Sequence, residues 1–213
     1  MTVIAIDGPA GAGKSTVGRA LADHLGVGYL DTGAMYRAMT FAALRRGVHE
    51  GDLAGIAEIA PLVELDITDG VVTVDGVDAT GEIRGREVTE AVSQVSANPT
   101  VRAVLVDRQR EWVAERGGGV VEGRDIGTVV FPDADLKLFV TASPRVRAER
   151  RVAETGGDVD DVEASIIKRD RNDSSRAHSP LSEAADAVIV DTTGMSIDEV
   201  VAHIVAMLPG DES

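Results

Sequence analysis

The sequence predicts an α/β fold in which a five-stranded parallel sheet carries helices on both faces, with a small antiparallel β insert and a helical hairpin added to it. Three observations lead there. Short runs rich in Val, Ile and Leu alternate with longer segments whose apolar residues repeat at helical spacing, the pattern of strands joined by crossover helices. The first run, Val3-Ile4-Ala5-Ile6, leads into a glycine-rich stretch, Gly8-Pro9-Ala10-Gly11-Ala12-Gly13-Lys14-Ser15-Thr16, and then into a helical pattern. Between residues 62 and 79 the period shortens to β-rich runs.

Val3 to Ile6 is too short for a helix and is stopped by Gly8-Pro9, so it reads as a buried strand. Val17, Ala20, Leu21 and Leu25 then mark a helix that Gly26 is placed to end. The intervening stretch has the G-x-x-x-x-G-K-S spacing of a phosphate-binding loop between a strand and a helix, which makes the fold one of the P-loop NTPase type. Its glycines let backbone N–H groups wrap a phosphate chain, and the helix N-terminus turns its positive end to the same anion. Lys14 reaches the outer phosphates and the Ser15 hydroxyl is the expected Mg²⁺ ligand. Residues Gly8 to Thr16 are thus expected to bind a nucleoside triphosphate.

Tyr29-Leu30 reads as a second strand ending in Asp31-Thr32-Gly33, at the edge where α/β sheets bind ligands. A helix from Ala34 to Arg46 follows, with Met35, Ala38, Met39, Ala42 and Ala43 as its apolar face and Gly47 after it. Arg37 falls in the first turn of that helix, where anions are preferred. Two readings stay open, an exposed arginine tolerated at small cost or a guanidinium aimed at a phosphate. Asp52 caps a short helix carrying Leu53, Ile56 and Ile59, closed near Pro61.

Leu62 to Ile67, Val71 to Val74 and Val77 to Ala79 are separated by Asp69-Gly70 and Asp75-Gly76, both hairpin-turn dipeptides. This meander is expected to stand apart from the parallel sheet as an insert over residues 62–88, either as a lobe that folds over substrate or as decoration. Ile83 to Ala97 reads as helix. Asn98, followed by Pro99, caps another that runs to Arg116. Its apolar side is Val101, Val104, Leu105 and Trp112, with Arg102, Arg108 and Arg110 expected elsewhere on its surface, most as ordinary solvated charge. Gly117-Gly118-Gly119 ends it.

Val120-Val121 then delivers Glu122-Gly123-Arg124-Asp125 to the sheet edge that carries the phosphate loop. A neighbouring Arg and Asp there could form a structural ion pair, but charged residues at that rim are more often ligand contacts. Leu136 to Val140 is a fourth strand, and Ser143-Pro144 opens a basic helix with Arg145, Arg147, Arg150 and Arg151. After Gly156-Gly157 a second helix, Asp160 to Ser174, carries Arg169, Arg171 and Asp173, with Arg176 just beyond. Residues 145–176 read as a mobile lid over phosphates or as a charged hairpin laced by i,i+4 pairs. The return of the chain to the active edge through Ala187 to Val190 favours the lid. Ser196-Ile197-Asp198-Glu199 is a capping box for a last helix with Ile197, Val200, Val201, Ile204 and Leu208 apolar, and a frayed tail is expected over Pro209 to Ser213.

With 213 residues, the chain is expected to form a single domain over 1–213, the insert and lid lying within it. It has no cysteine, which excludes disulfides and thiolate metal sites. No basic-then-apolar leader and no run of spanning length is visible, so a cytoplasmic protein is expected. The formal net charge of -15 argues against nucleic-acid or membrane-surface binding and for a small-molecule partner. Lysine occurs only at 14, 137 and 168; every other cation is arginine, the side chain that clamps phosphate bidentately. Two function classes fit a phosphate loop, a switch or motor that hydrolyses its nucleotide and a kinase that passes the terminal phosphoryl to an acceptor. No guanine-reading Asn-Lys-x-Asp segment is present, and the arginines around a second site favour a phosphorylated acceptor.

Four segments together resemble the bacterial cytidylate kinases: Ile6 to Thr16, Leu30-Asp31-Thr32-Gly33-Ala34-Met35-Tyr36-Arg37, Gly123-Arg124-Asp125-Ile126-Gly127-Thr128-Val129-Val130-Phe131-Pro132, and Arg169-Asp170-Arg171-Asn172-Asp173-Ser174-Ser175-Arg176. The likeness covers essentially the whole chain. It implies an adenylate-kinase-like fold in which ATP, with Mg²⁺, phosphorylates CMP or dCMP in pyrimidine nucleotide metabolism. By the resemblance Lys14, Arg124 and Arg169 serve the transfer. Arg37, Arg124 and Arg176 hold the acceptor phosphate; Ser93, Arg102 and Asp125 read the cytosine; Thr32, Tyr36, Arg169 and Asp173 complete the substrate site. A carboxylate at Asp125 suits cytosine, whose amino group donates where uracil presents an oxygen. The meander is then the monophosphate-binding insert and the basic hairpin the lid, in an enzyme expected to act as a monomer.

Overall fold

The computed structural model describes residues 2–68, 70–175 and 179–208. The chain opens with β1 (Thr2–Asp7), α1 (Lys14–Leu25), β2 (Tyr29–Asp31) and α2 (Thr32–Arg45). It continues through α3 (Leu53–Ile59), β3 (Leu65–Thr68), β4 (Val71–Val74), β5 (Val77–Asp78), α4 (Arg86–Val95) and α5 (Pro99–Arg116). The last part holds β6 (Gly118–Glu122), β7 (Leu136–Thr141), α6 (Pro144–Thr155), α7 (Val159–Ser174), β8 (Val188–Asp191) and α8 (Ile197–Val205). The chain divides into two compact units, Met1–Tyr29 with Val113–Ser213, and Leu30–Trp112.

The main sheet has the strand order β2-β6-β1-β7-β8, and β1, β6, β7 and β8 belong to the first unit. β1 runs parallel to both β6 and β7, and β7 runs parallel to β8. Ile4 and Ile6 of β1, Val120 of β6, Leu138 and Val140 of β7 and Val190 of β8 are buried with Val17 and Leu21 of α1 and Val200 and Ile204 of α8. The β-branched runs are strands because both of their faces are covered. Gly118 shows why three glycines stand before Val120: a Cβ there would lie 2.4 Å from the Thr2 carbonyl oxygen, so β6 can pair with β1 only through a residue without a side chain. The strand accordingly starts two residues before the Val120-Val121 core.

The second unit contains the antiparallel sheet β3-β4-β5 and helices α2 to α5. Val72 and Val74 are buried on one face of β4 while Val71 is exposed, the alternation of a sheet covered on one side. α2 packs against both α4 and β4. Asp52 caps α3 by accepting from the Gly55 N–H at 2.9 Å, and Asn98 caps α5 by accepting from the Thr100 N–H at 3.0 Å.

Three details differ from the sequence reading. α2 starts at Thr32, with Asp31 as the cap that accepts from the Ala34 N–H at 3.0 Å. Residues 83–97 are not one helix: a 3-10 turn over Glu82–Arg84 is separated from α4 by Gly85, whose extended backbone restarts the helix. Asp125 is followed by a π-helical turn over Ile126–Val130, which no periodicity in so short a segment reveals. Asp69 of the first hairpin dipeptide and the tail Pro209 to Ser213 lie outside the described residues.

Candidate active site

The phosphate loop leaves β1 through Gly8. Its φ is +146°, and a Cβ would fall 2.0 Å from the Val140 carbonyl oxygen; only glycine lets the loop turn against β7. Gly11 and Gly13 also hold positive φ angles, 76° and 90°. Three loop carbonyls are tied down within the same unit. Pro9 accepts from Lys14 Nζ at 2.9 Å, Ala10 from Arg147 Nη1 at 3.0 Å, and Ala12 from the Thr192 hydroxyl at 3.1 Å. α1 has Gly13 as its N-cap and therefore no side-chain cap, so its first N–H groups are not taken by a cap and suit an anion.

The carboxyl ends of β1 and β6 meet beside this loop. The Ser15 hydroxyl donates to Glu122 Oε1 at 2.8 Å, which ties the first turn of α1 to the end of β6. Asp7, the last residue of β1, is buried, and its two carboxylate oxygens accept from the Ile126 N–H at 2.8 Å and the Gly127 N–H at 2.7 Å. Burial pushes its carboxyl up to about 6; the two N–H donors oppose the shift, the nearby Asp125 charge adds to it, and Lys14 opposes it.

Arg124 and Asp125 point into different relationships. Arg124 Nε pairs with Asp173 Oδ2 of α7 at 3.1 Å, and its Nη1 donates to the Gly123 carbonyl at 3.3 Å. Arg124 thus has an ion-pair partner on α7. Asp125 is buried, and its carbonyl accepts from the Val129 and Val130 N–H groups of the π turn.

The arginines of the basic hairpin fall into two groups by what they face. Arg145 is exposed and pairs with Glu149, Asp160 and Glu163, and Arg151 with Glu154: these are the charges of a solvated hairpin. Arg147 and Arg150 turn the other way. Arg147 is buried, donating to the Ala142 and Ala10 carbonyls and to Asp170 of α7 at 2.7 Å. Arg150 donates to the hydroxyl and carbonyl of Thr192 at 3.0 and 2.9 Å. Arg169 is half-buried on α7, one turn before the buried Asp173.

In the second unit Thr32 and Tyr36 are buried on α2. Arg37 lies in the second turn of α2 rather than the first, because the helix begins earlier; its Nη1 donates to the Ile83 carbonyl at 3.1 Å and the Thr89 hydroxyl at 2.9 Å. Arg102 is not the surface charge expected on α5. It is buried, its guanidinium 5.4 Å from the Tyr36 ring centroid and its Nη1 3.5 Å from the Ser96 carbonyl, an aromatic face and a carbonyl replacing its hydration. Arg108 is also half-buried and donates to the Val63 carbonyl at 2.9 Å; Arg110 remains exposed. The buried face of α5 is Val101, Leu105, Val106 and Val113, with Val104 and Trp112 only half-buried. Ser93 sits half-buried on α4, its carbonyl taken by the Ser96 hydroxyl at 3.1 Å. Arg176 lies outside the described residues.

Sequence reasoning overlooked Asp7 and Thr192 and gave no separate task to Glu122 or Arg147. A signal existed for three of them: Asp7, Glu122 and Thr192 are polar residues at or just beyond the carboxyl ends of core strands, where α/β sheets keep their ligands. Arg147 had none, since periodicity does not tell a buried arginine from the exposed ones beside it.

A phosphate loop after the first strand of a parallel sheet, a serine tied to an acidic strand end and an arginine-bearing turn on the same edge define a P-loop nucleotide-binding protein of the small-kinase type. A gluconokinase from Sinorhizobium meliloti 1021 shares the fold, with a TM-score of 0.52 at 18% identity over 96% of this chain and 90% of that one. The chain belongs to the cytidylate kinase family, whose model matches residues 4–209. The cytidylate kinase of Mycobacterium leprae is 52% identical over 97% of this chain and 95% of its own, and that of Streptomyces griseus is 50% identical over 98% and 93%.

Proposed function

We propose that the protein transfers the terminal phosphoryl of ATP to CMP or dCMP, releasing ADP and CDP or dCDP. Membership of the cytidylate kinase family supports the reaction class and the acceptor base. The observation that carries the reading in this chain is the shared edge, where the phosphate loop and the Arg124-Asp125 turn are joined by the Ser15–Glu122 and Asp7–Ile126 bonds.

The protein has little covalent chemistry to perform. A phosphate monoester has a second pKa near about 6, so the attacking oxygen is ionised at neutral pH and no general base is required. Gly8 to Thr16 hold the donor phosphates through backbone N–H groups, and Lys14 offsets charge on the transferred group together with Arg124 and Arg169. Arg37, Arg124 and Arg176 hold the acceptor phosphate. Ser93, Arg102 and Asp125 read the base, Tyr36, Arg169 and Asp173 lie near the sugar, and Thr32 is a further substrate-binding residue. These assignments follow the family resemblance and are supported by the burial of Arg102 against Tyr36 and the pairing of Arg124 with Asp173.

Magnesium fits the donor set. Among the described residues no three His, Asp or Glu side chains gather into a metal cage, and Mg²⁺ on a nucleotide takes one or two protein oxygens with the rest from phosphates and water. Ser15 is the residue that would hold it, its hydroxyl already oriented by Glu122. Bound there, the ion supplies charge neutralisation and alignment of the phosphates.

The insert over 62–88 is read as the monophosphate-binding segment and 145–176 as a lid that excludes water as a competing acceptor, both within one kinase domain. Among the described residues no helix is long and apolar enough to cross a membrane. We read the enzyme as a cytoplasmic monomer acting on nucleotides, with no nucleic-acid or membrane partner.

The test is ADP release from Mg-ATP with CMP, dCMP, UMP, AMP or no acceptor. Turnover confined to CMP and dCMP is expected. Equal ADP release without acceptor would mean that the chain is an ATPase or switch.

A further inference from the structure

We propose that Asp7 is a positioning residue for acceptor recognition: by accepting the backbone N–H groups of Ile126 and Gly127, it holds the turn that presents Arg124 and Asp125 to the nucleoside monophosphate. The inference rests on the functional reading above and adds to it a residue that touches neither nucleotide.

The π turn over Ile126–Val130 starts with N–H groups that have no partner inside the turn. Asp125 occupies the capping position, yet its side chain makes no cap hydrogen bond. Asp7 does the capping from another strand, at 2.8 and 2.7 Å, one oxygen for each N–H. The cap of this turn is thus supplied by Asp7 and not by the Asp125 side chain. The turn is also confined sterically. A Cβ on Gly127 would lie 3.1 Å from Lys137 Cδ and 3.4 Å from Asp7 Oδ2, so the backbone is seated between these two side chains.

A strand that merely leads into a phosphate loop has no need of a buried carboxylate, and keeping one there is costly. The charged groups around it are Asp125, which disfavours its ionisation, and Lys14, which favours it. Lys137, whose stem lies along Gly127, directs its ammonium to Asp186 at 2.7 Å. Burial, with Asp125 adding to it, brings the Asp7 carboxyl up to about 6. Protonated, it keeps one good acceptor and turns a donor toward the second N–H; asparagine at this position does the same permanently.

The experiment compares wild type with Asp7→Asn, measuring KM for CMP and for Mg-ATP, the preference for CMP over UMP, and the pH dependence of kcat/KM for CMP. The variant is expected to raise KM for CMP about tenfold or more and to relax the preference, with KM for Mg-ATP within about twofold, since the lost acceptor serves the substrate turn. The wild-type to variant ratio, in which the ionisation of CMP cancels, should be large at about pH 8 and fall toward one below about pH 6. An unchanged KM for CMP, or a change in KM for Mg-ATP alone, overturns the proposal by making Asp7 a structural part of the phosphate loop. If Asp7→Asn does not fold, Asp7→Ser replaces it with the same readouts: a raised KM for CMP with KM for Mg-ATP unchanged supports the positioning role, and an unchanged KM for CMP overturns it. Failure of the functional reading is distinct, because wild type itself would then show no CMP-dependent turnover.

Discussion

Lys14 is buried, with its ammonium resting on the Pro9 carbonyl of its own loop. Lys14→Ala removes the cation but none of the apolar core, so the fold should persist while kcat falls by about a hundredfold to a thousandfold or more; circular dichroism and ADP release measured on the same sample check both halves. Asp125→Asn replaces an acceptor of the cytosine amino group by a side chain that can also donate to uracil, and the preference for CMP over UMP should narrow by about 1–3 kcal/mol. Unchanged selectivity would remove Asp125 from base reading. Asp7 bears on stability as well. Its carboxyl holds a proton more tightly in the folded chain, at about 6, than at its ordinary 3.8. Its contribution to stability is therefore complete below about 3.8 and is lost as the pH rises through about 6, an effect of about 3 kcal/mol. Urea denaturation should show wild type losing ground to the non-titrating Asp7→Asn between those pH values. A difference that does not vary with pH would mean that the carboxyl is not shifted.

Among the elements, the strand-to-loop junction tolerates least. Gly8→Ala puts a methyl 2.0 Å from the Val140 carbonyl oxygen at a φ of +146°. Backbone strain alone costs about 1–3 kcal/mol, and the clash adds to it. The thermal midpoint should fall and KM for Mg-ATP should rise together, because the same displacement moves both β1 and the loop; a native-like midpoint would show that β7 can retreat. Most of the elements were legible from local signals. The caps Asp52, Asn98, Ser143 and Ser196 each open the helix they were expected to open, since a cap is a contact between near neighbours. The interruption at Gly85 and the π turn after Asp125 were not legible. Both are decided by where neighbouring elements place partners for a few N–H groups, as Asp7 does for Ile126 and Gly127. The hairpin α6–α7 is intermediate: its arginines could be counted, but Arg147 and Arg145 differ only in what faces them.

For the molecule as a whole, the net charge of -15 is a term of its own. Many surface carboxylates repel one another, and salt screens that repulsion over about 10 Å at 0.1 M. The thermal midpoint should rise with added sodium chloride, whereas a protein held mainly by surface ion pairs would lose stability. By itself the sequence determined the α/β class, the phosphate loop, the antiparallel insert and the segments that carry the cytidylate kinase likeness. These depend on residue type at fixed spacing, which makes them local properties of the chain. Only the tertiary structure decided that Arg102 is buried against Tyr36, that Arg124 pairs with Asp173, and that Asp7 caps the turn after Asp125. Each joins residues dozens of positions apart or more, and their pairing follows from strand order and helix packing, which no local spacing records.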